Sequence, residues 1–215
     1  MQRFKRKLSV TNIINQRIRR LALSGRFFEA FGNPQDRGVW FIWGTSASGK
    51  SSFIMKLAKH FAEIGYSVYY NLLEEDPDDS DYIDRVKMVD MFEVKDKFHT
   101  IQANYDELIT ILKKRRSPKV IIIDSLPYFN INWEQYLELK RQFRNKIFVF
   151  VGHAKGTQPR TKIEEDVMFD AKMKIFVSGF LAVCKGRTIG PNGGNFIVWD
   201  EGYKKIQGTQ TDKIN

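Results

Sequence analysis

With 215 residues the chain is long enough for one sizeable hydrophobic core and too short for two comfortable ones, so a single domain is expected. A formal charge of +10 points to a polyanionic partner, nucleic acid first, or else to a solvated basic surface. The lone cysteine, Cys184, excludes an intramolecular disulfide and a cysteine-based metal cluster; apolar runs of only strand length speak against a membrane span or a secretory leader, so a soluble, cytoplasmic protein is expected.

Residues 1–8 read as a basic tail. From Ser9 a helix is expected, with Ser9 or Thr11 as N-cap and Val10, Ile13, Ile14, Ile18 and Leu21 as an apolar stripe opposite Arg17, Arg19 and Arg20. That stripe needs a partner, either its own domain or a neighbouring subunit. Gly25, Gly32-Asn33-Pro34 and Gly38 punctuate the way into an apolar strand, Val39-Trp40-Phe41-Ile42-Trp43. A glycine- and serine-rich loop follows, then Ser52–Ile64 with Phe53, Leu57, Phe61 and Ile64 at helical spacing.

Ser67–Leu73 alternates as a second strand and closes in Glu74-Glu75-Asp76-Pro77, the start of a stretch with seven acidic residues between Glu74 and Asp84. A helix over Asp81–Phe92 and a short strand over Lys97–Gln102 come next. Asn104 with Glu107 has the form of a capping box that opens a helix to about Arg116, which Pro118 stops. In Lys119–Asp124, the run Val120-Ile121-Ile122-Ile123 suits a strand buried on both faces of a parallel sheet. Trp133–Arg144 reads as a helix, and Ile147–Val151 as a strand ending at Gly152-His153. Residues 154–171 read as a long polar connection. Short strands follow at Met173–Val177, Phe180–Cys184 and Phe196–Trp199, with a turn over Thr188–Asn195. The pattern implies an α/β domain whose mostly parallel sheet carries an antiparallel C-terminal extension.

The loop Gly44-Thr45-Ser46-Ala47-Ser48-Gly49-Lys50-Ser51 has the full spacing of a phosphate-binding P-loop, and it stands between a strand and a helix as that motif requires. Its glycines let the backbone curl around phosphate oxygens. Lys50 would reach the β- and γ-phosphates, and Ser51 would offer its hydroxyl to Mg²⁺, with Ser52 completing the helix start. Asp124, at the end of an apolar strand, is placed to hold Mg²⁺ through water. Hydrolysis needs a carboxylate that deprotonates water beside the γ-phosphate; Glu74 or Glu75 qualifies, with Glu74 preferred. His153 could contact the γ-phosphate, or serve only as a structural hydrogen-bonding group. His60 and His99 have no metal-like companions. Lys185 and Arg187 are two apart on a strand and project together; they could be surface charges or cations lent to a neighbour's phosphate.

Taken together, GTSASGKS, the strand ending in Glu74-Glu75, IIIDSL with Asp124, the strand ending in His153, and Lys185-Gly186-Arg187 resemble the RecA-fold ATPases. The likeness is to the core shared by DnaB-type helicases, KaiC-like proteins and phage-type recombinases. It implies a RecA-like P-loop core over 38–207, a basic extension over 1–37 and a polar tail over 208–215. It also implies ATP and Mg²⁺ as cofactors, and a homo-oligomer, ring or filament, in which Lys185 and Arg187 act across the subunit boundary. The connection 154–171 would contact single-stranded DNA through Lys155, Arg160 and Lys162. This sequence departs from the family in placing His153 where Gln is frequent. The function implied is a Mg²⁺-dependent ATPase working on single-stranded DNA in replication or recombination. The alternatives are a small-molecule or nucleotide kinase with Lys140, Arg141 and Arg144 in a lid, and a catalytically silent nucleotide-binding assembly protein. No Asn-Lys-x-Asp guanine motif is present.

Overall fold

The computed structural model describes residues 7–211; the expectations for residues 1–6 of the basic tail and for 212–215 lie outside them. In chain order the elements are α1 (Val10–Ile14), α2 (Gly25–Phe31), β1 (Gly38–Gly44), α3 (Lys50–Glu63), β2 (Val68–Leu72), α4 (Ser80–Met88), β3 (Phe98–Ile101), α5 (Tyr105–Lys113) and β4 (Val120–Asp124). They continue with α6 (Leu126–Phe129), α7 (Trp133–Gln142), β5 (Ile147–Lys155), β6 (Gln158–Pro159), α8 (Lys162–Asp170), β7 (Met173–Ser178), β8 (Leu181–Cys184), β9 (Asn195–Ile197) and α9 (Asp200–Thr211). The main path of the sheet runs β3-β2-β4-β5-β1-β7-β8-β9. Its first six members are parallel, β8 runs antiparallel to β7, and β9 in turn pairs antiparallel with β8.

Both faces of the parallel part are covered, and side-chain alternation divides the core in two. Trp40, Ile42, Val120, Ile122, Val149 and Val151 pack with α2 and α3, whereas Val39, Phe41, Trp43, Ile121, Ile123 and Phe150 pack with α5, α7 and α8. That is why β1, β4 and β5 are apolar at consecutive positions rather than at alternate ones. Phe27, Phe31, Phe53 and Phe196 add an aromatic cluster, with Phe27 and Phe196 ring centroids 4.6 Å apart. Among the described residues no helix is long and apolar enough to cross a membrane.

Several expectations need correction. The helix expected from Ser9 through Leu21 ends after five residues, and Val10, Ile13, Ile14 and Ile18 are exposed. So short a helix with no packed face has little to hold it beyond its Ser9–Asn12 capping box. Leu21 and Leu23 are buried instead with α2, in an extended segment where Leu21 N donates to Pro34 O. The helix expected to reach Phe92 stops at Met88, and Met91–Val94 forms a separate 3₁₀ turn. Phe180 belongs to the turn before β8, at φ +60°.

The polar connection at 154–171 is in fact a tight β5–β6 hairpin, Lys155 opposite Gln158, followed by α8. Thr161 and Glu164 form its capping box, and Val167 and Met168 bury against the sheet. Beyond the expected strands, α9 continues through residue 208, where the polar tail had been expected to begin.

Candidate functional site

Strand β1 runs between β5 and β7, so Gly44 is delivered to the C-terminal edge of the sheet opposite His153 and Val177. Glycine is required there, since a Cβ would lie 2.3 Å from Val177 O. Gly49 caps α3 at φ +89°, a left-handed conformation, and its own Cβ would lie 2.8 Å from Phe180 Cδ1. Phe180 N donates to Ser48 O at 3.0 Å and so ties the loop to the turn before β8. The first N–H groups of α3 lack intrahelical acceptors, as at any helix start, and they meet the positive end of the helix dipole. Residues 45–52 line a cavity of about 700 Å³ together with Glu74, Glu75, Arg85 and His153. Within the loop the Ser48 hydroxyl is buried without a hydrogen-bond partner.

Asp124 leaves β4 beside Leu72 of β2, and the chain after Leu72 brings Glu74 and Glu75 past the same edge. The Asp124 carboxylate accepts from the Tyr70 hydroxyl at 2.5 Å. Burial raises its pKa above the ordinary aspartate value; the Tyr70 bond and the Lys50 charge oppose that shift, and Glu74 and Glu75 add to it. Tyr70 is itself pushed upward by burial and by Asp124. Asp124 thus senses the charges of Lys50, Glu74 and Glu75.

The two glutamates part company here. Glu75 pairs with Arg85 of α4, a residue that no sequence spacing had marked. Glu74 turns to His153, with Oε2 3.3 Å from Nε2, and the same nitrogen lies 3.3 Å from Ser125 Oγ. His153 is fixed through its backbone as well: its N donates to Glu164 Oε1 at 2.7 Å, and its O accepts from Arg160 N at 3.0 Å. Glu164 is fully buried, and its second oxygen accepts from Thr161 N and Thr161 Oγ1, both at 2.7 Å. Sequence reading missed Tyr70, Arg85, Ser125, Glu164 and Phe180. Only Glu164 left a signal, as the last position of Thr161-Lys162-Ile163-Glu164.

Lys155 and Arg160 flank the hairpin turn and line a cavity of about 270 Å³ that also touches Ser46 and His153. Lys162 is elsewhere, spent on Asp166 at 2.6 Å and Glu165 at 3.7 Å within its own helix. Lys185 and Arg187 are exposed, and their N–H groups donate to Lys174 O and Lys172 O at the start of β7. Those acceptors are level with Phe41 and Val39 of β1, so the pair is set back three and five residues from Gly44, about 10 and 16 Å toward the opposite edge of the sheet. Neither Lys185 nor Arg187 lines the P-loop cavity of the chain. Lys140, Arg141 and Arg144, the cations considered for a kinase lid, fall at that far edge, because α7 runs back to the start of β5.

The residues present fit a nucleoside triphosphate with Mg²⁺. Glycines that exclude side chains shape the loop, Ser48 carries an unpartnered hydroxyl, and Lys50 supplies charge. Ser51 and Asp124 make an all-oxygen donor pair suited to a hard cation. No group of three metal-ligating side chains exists among the described residues, so an ion here would need phosphate oxygens to complete its shell. No family model matches the sequence, and no curated protein matches it. Solved structures do. A KaiC-like protein, PH0186 from the hyperthermophilic archaeon Pyrococcus horikoshii OT3, superposes with a TM-score of 0.61 at 19% identity, over 84% of this chain and 99% of that one. The flagellar accessory protein FlaH from Methanocaldococcus jannaschii gives 0.60 at 16% identity, over 84% and 92%. At such identities the likeness is one of architecture alone: this chain has the RecA-like α/β fold of those two proteins.

Proposed function

We propose that the protein is a Mg²⁺-dependent ATPase that assembles head to tail and acts on single-stranded DNA. The observation that carries the hydrolytic part is the Glu74 carboxylate, held 3.3 Å from His153 on the wall of the P-loop cavity while Glu75 is engaged by Arg85. Glu74 is then the base that takes a proton from the attacking water, and His153, steadied by Ser125 and Glu164, positions it. Lys50 and the α3 N-terminus stabilise charge on the phosphate oxygens. When bound at Ser51 and Asp124, Mg²⁺ would supply further neutralisation of that charge.

The distance of Lys185 and Arg187 from their own P-loop supports a role toward a neighbour's site, since a cation of this kind can act in trans. Lys155 and Arg160, next to His153, are the side chains proposed to meet DNA phosphates; Lys162, neutralised by its own helix, is dropped from that role. A kinase lid built on Lys140, Arg141 and Arg144 is disfavoured by their place at the far edge. The test is ATP turnover by the full chain with and without an oligothymidylate. Stimulation that fades with added salt, and loss of turnover in Lys50→Ala, are expected. Turnover that ignores DNA and requires a small phosphoryl acceptor would contradict the reading.

A further inference from the structure

At the edge of the sheet away from the P-loop, the beginnings of β1, β5 and β7 enclose a cavity of about 250 Å³ lined by Arg37, Lys140, Arg144, Lys146 and Lys172, with Asp170 as the only carboxylate on its wall. Asp170 is already occupied. It pairs with Lys140 at 2.5 Å and accepts from the Tyr136 hydroxyl. Among the described residues, no carboxylate lies within ion-pair distance of Arg37, Arg144, Lys146 or Lys172. The cavity therefore keeps four uncompensated cations.

Arg144 is exposed, but Lys146 and Lys172 behind it are held in place. Lys146 is 8% exposed and is anchored by bonds to Ser117 Oγ at 2.8 Å and Pro118 O at 2.5 Å. Lys172 lays its stem over Gly38, where a Cβ would come within 3.0 Å of Cδ, and its Nζ donates to Gln35 Oε1 at 2.7 Å. Burial lowers the Lys172 pKa first, and the neighbouring Arg37, Arg187 and Lys140 lower it further. Cations that are both desolvated and close to one another oppose folding unless something of opposite charge joins them. A second cavity of about 240 Å³ shares Arg37 and Lys172 with the first and adds Arg20 and Arg187, so the basic lining runs on along the edge.

We infer that this cleft is a second anion site, distinct from the P-loop, that binds a multiply charged phosphate. Guanidinium forks at Arg37 and Arg144 suit paired phosphate oxygens, and the lysine ammonium groups serve as point charges behind them. The same chemistry is offered by a free polyphosphate and by successive phosphates of a nucleic-acid strand. The inference is independent of hydrolysis at the P-loop.

The test is calorimetric titration of inorganic tripolyphosphate, without Mg²⁺, into the full chain carrying Lys50→Ala to weaken the P-loop. Saturable binding is expected, weakened by about tenfold or more when Arg144→Gln and Lys172→Gln are added, whereas Arg141→Gln leaves it within about twofold. Circular-dichroism melts confirm that each variant is folded. Displacement of tripolyphosphate by oligothymidylate assigns the site to a nucleic-acid strand, and lack of displacement assigns it to a small phosphate. Affinity unchanged in the double variant, or no saturation below about 1 mM, overturns the inference.

Discussion

Glu164→Gln tests how the site is held, because the change keeps the shape of a fully buried side chain and alters only its polarity. The carboxylate accepts three bonds of 2.7 Å: from His153 N at one oxygen, and from Thr161 N and Thr161 Oγ1 at the other. A glutamine offers a single oxygen. If that oxygen faces Thr161, the amide NH₂ confronts the His153 N–H; if it faces His153, the NH₂ confronts the Thr161 N–H. Either way one part-buried backbone donor loses its acceptor, the buried amide NH₂ finds none, and a charge-assisted bond is lost with them, so the cost is about 2–4 kcal/mol. For a chain of this size each kcal/mol corresponds to about 2–4 °C, which gives a fall in Tm of roughly 5–15 °C. Urea and thermal melts of the full chain measure it. Thr161→Val removes the hydroxyl bond and the helix cap together, and costs about 1–2 kcal/mol. A Glu164→Gln protein within about 0.5 kcal/mol of the unaltered chain would falsify the idea that this carboxylate fastens His153 to α8.

Other outcomes follow from the same geometry. Burial raises the Asp124 pKa, so the ionised form is disfavoured in the fold, and the stability this group contributes is present at low pH and lost as pH rises through its raised pKa. Asp124→Asn should therefore raise the Tm of the nucleotide-free protein at neutral pH while abolishing the Mg²⁺-dependent shift with ATP; a lower Tm contradicts this. Gly44→Ala drives a methyl to 2.3 Å from Val177 O, for a cost of about 1–3 kcal/mol and loss of ATP binding by calorimetry; unaltered affinity contradicts it. Lys146 has its pKa lowered to about 8 from the usual 10.5 by burial and by Lys119. Between those values the unfolded chain binds the extra proton, so this group's penalty on stability shrinks as pH rises. The Tm difference between Lys146→Met and the unaltered protein should accordingly narrow from pH 8 to 10, and a constant difference refutes it.

How much was legible in the sequence depended on whether a residue's role was local. The P-loop and the run Val120–Ile123 announced themselves because their constraints lie in consecutive positions: glycines that must curl, apolar residues that must be covered on two faces. The Thr161–Glu164 box was equally local, yet Gly156, Pro159 and the surrounding charges made 154–171 read as loop. Only the burial of Val167 and Met168 shows that α8 closes one face of the sheet. Asp200 and Glu201 opened α9 with acidic residues in the first turn, but Gly202 and Gly208 weakened the helical pattern. Tyr70 looked like one more aromatic on a strand, and its bond to Asp124 spans 54 positions. The Glu75–Arg85 pair separates the two candidate bases, and nothing in their spacing foretold it. The edge on which Lys185 and Arg187 emerge follows from β8 running against β7, a matter of pairing rather than of composition. The stripe on α1 had the right period and still found nothing to pack on among the described residues.

The most direct measurement mixes two inactive proteins, one carrying Glu74→Gln and the other Arg187→Ala, and follows ATP turnover. In a head-to-tail assembly, a P-loop with Glu74 intact can receive Arg187 from its neighbour, so turnover is expected to reappear, with about one boundary in four complete at equal mixing. Mixtures as inactive as their components would contradict a site shared between copies, as would full turnover by an isolated protomer.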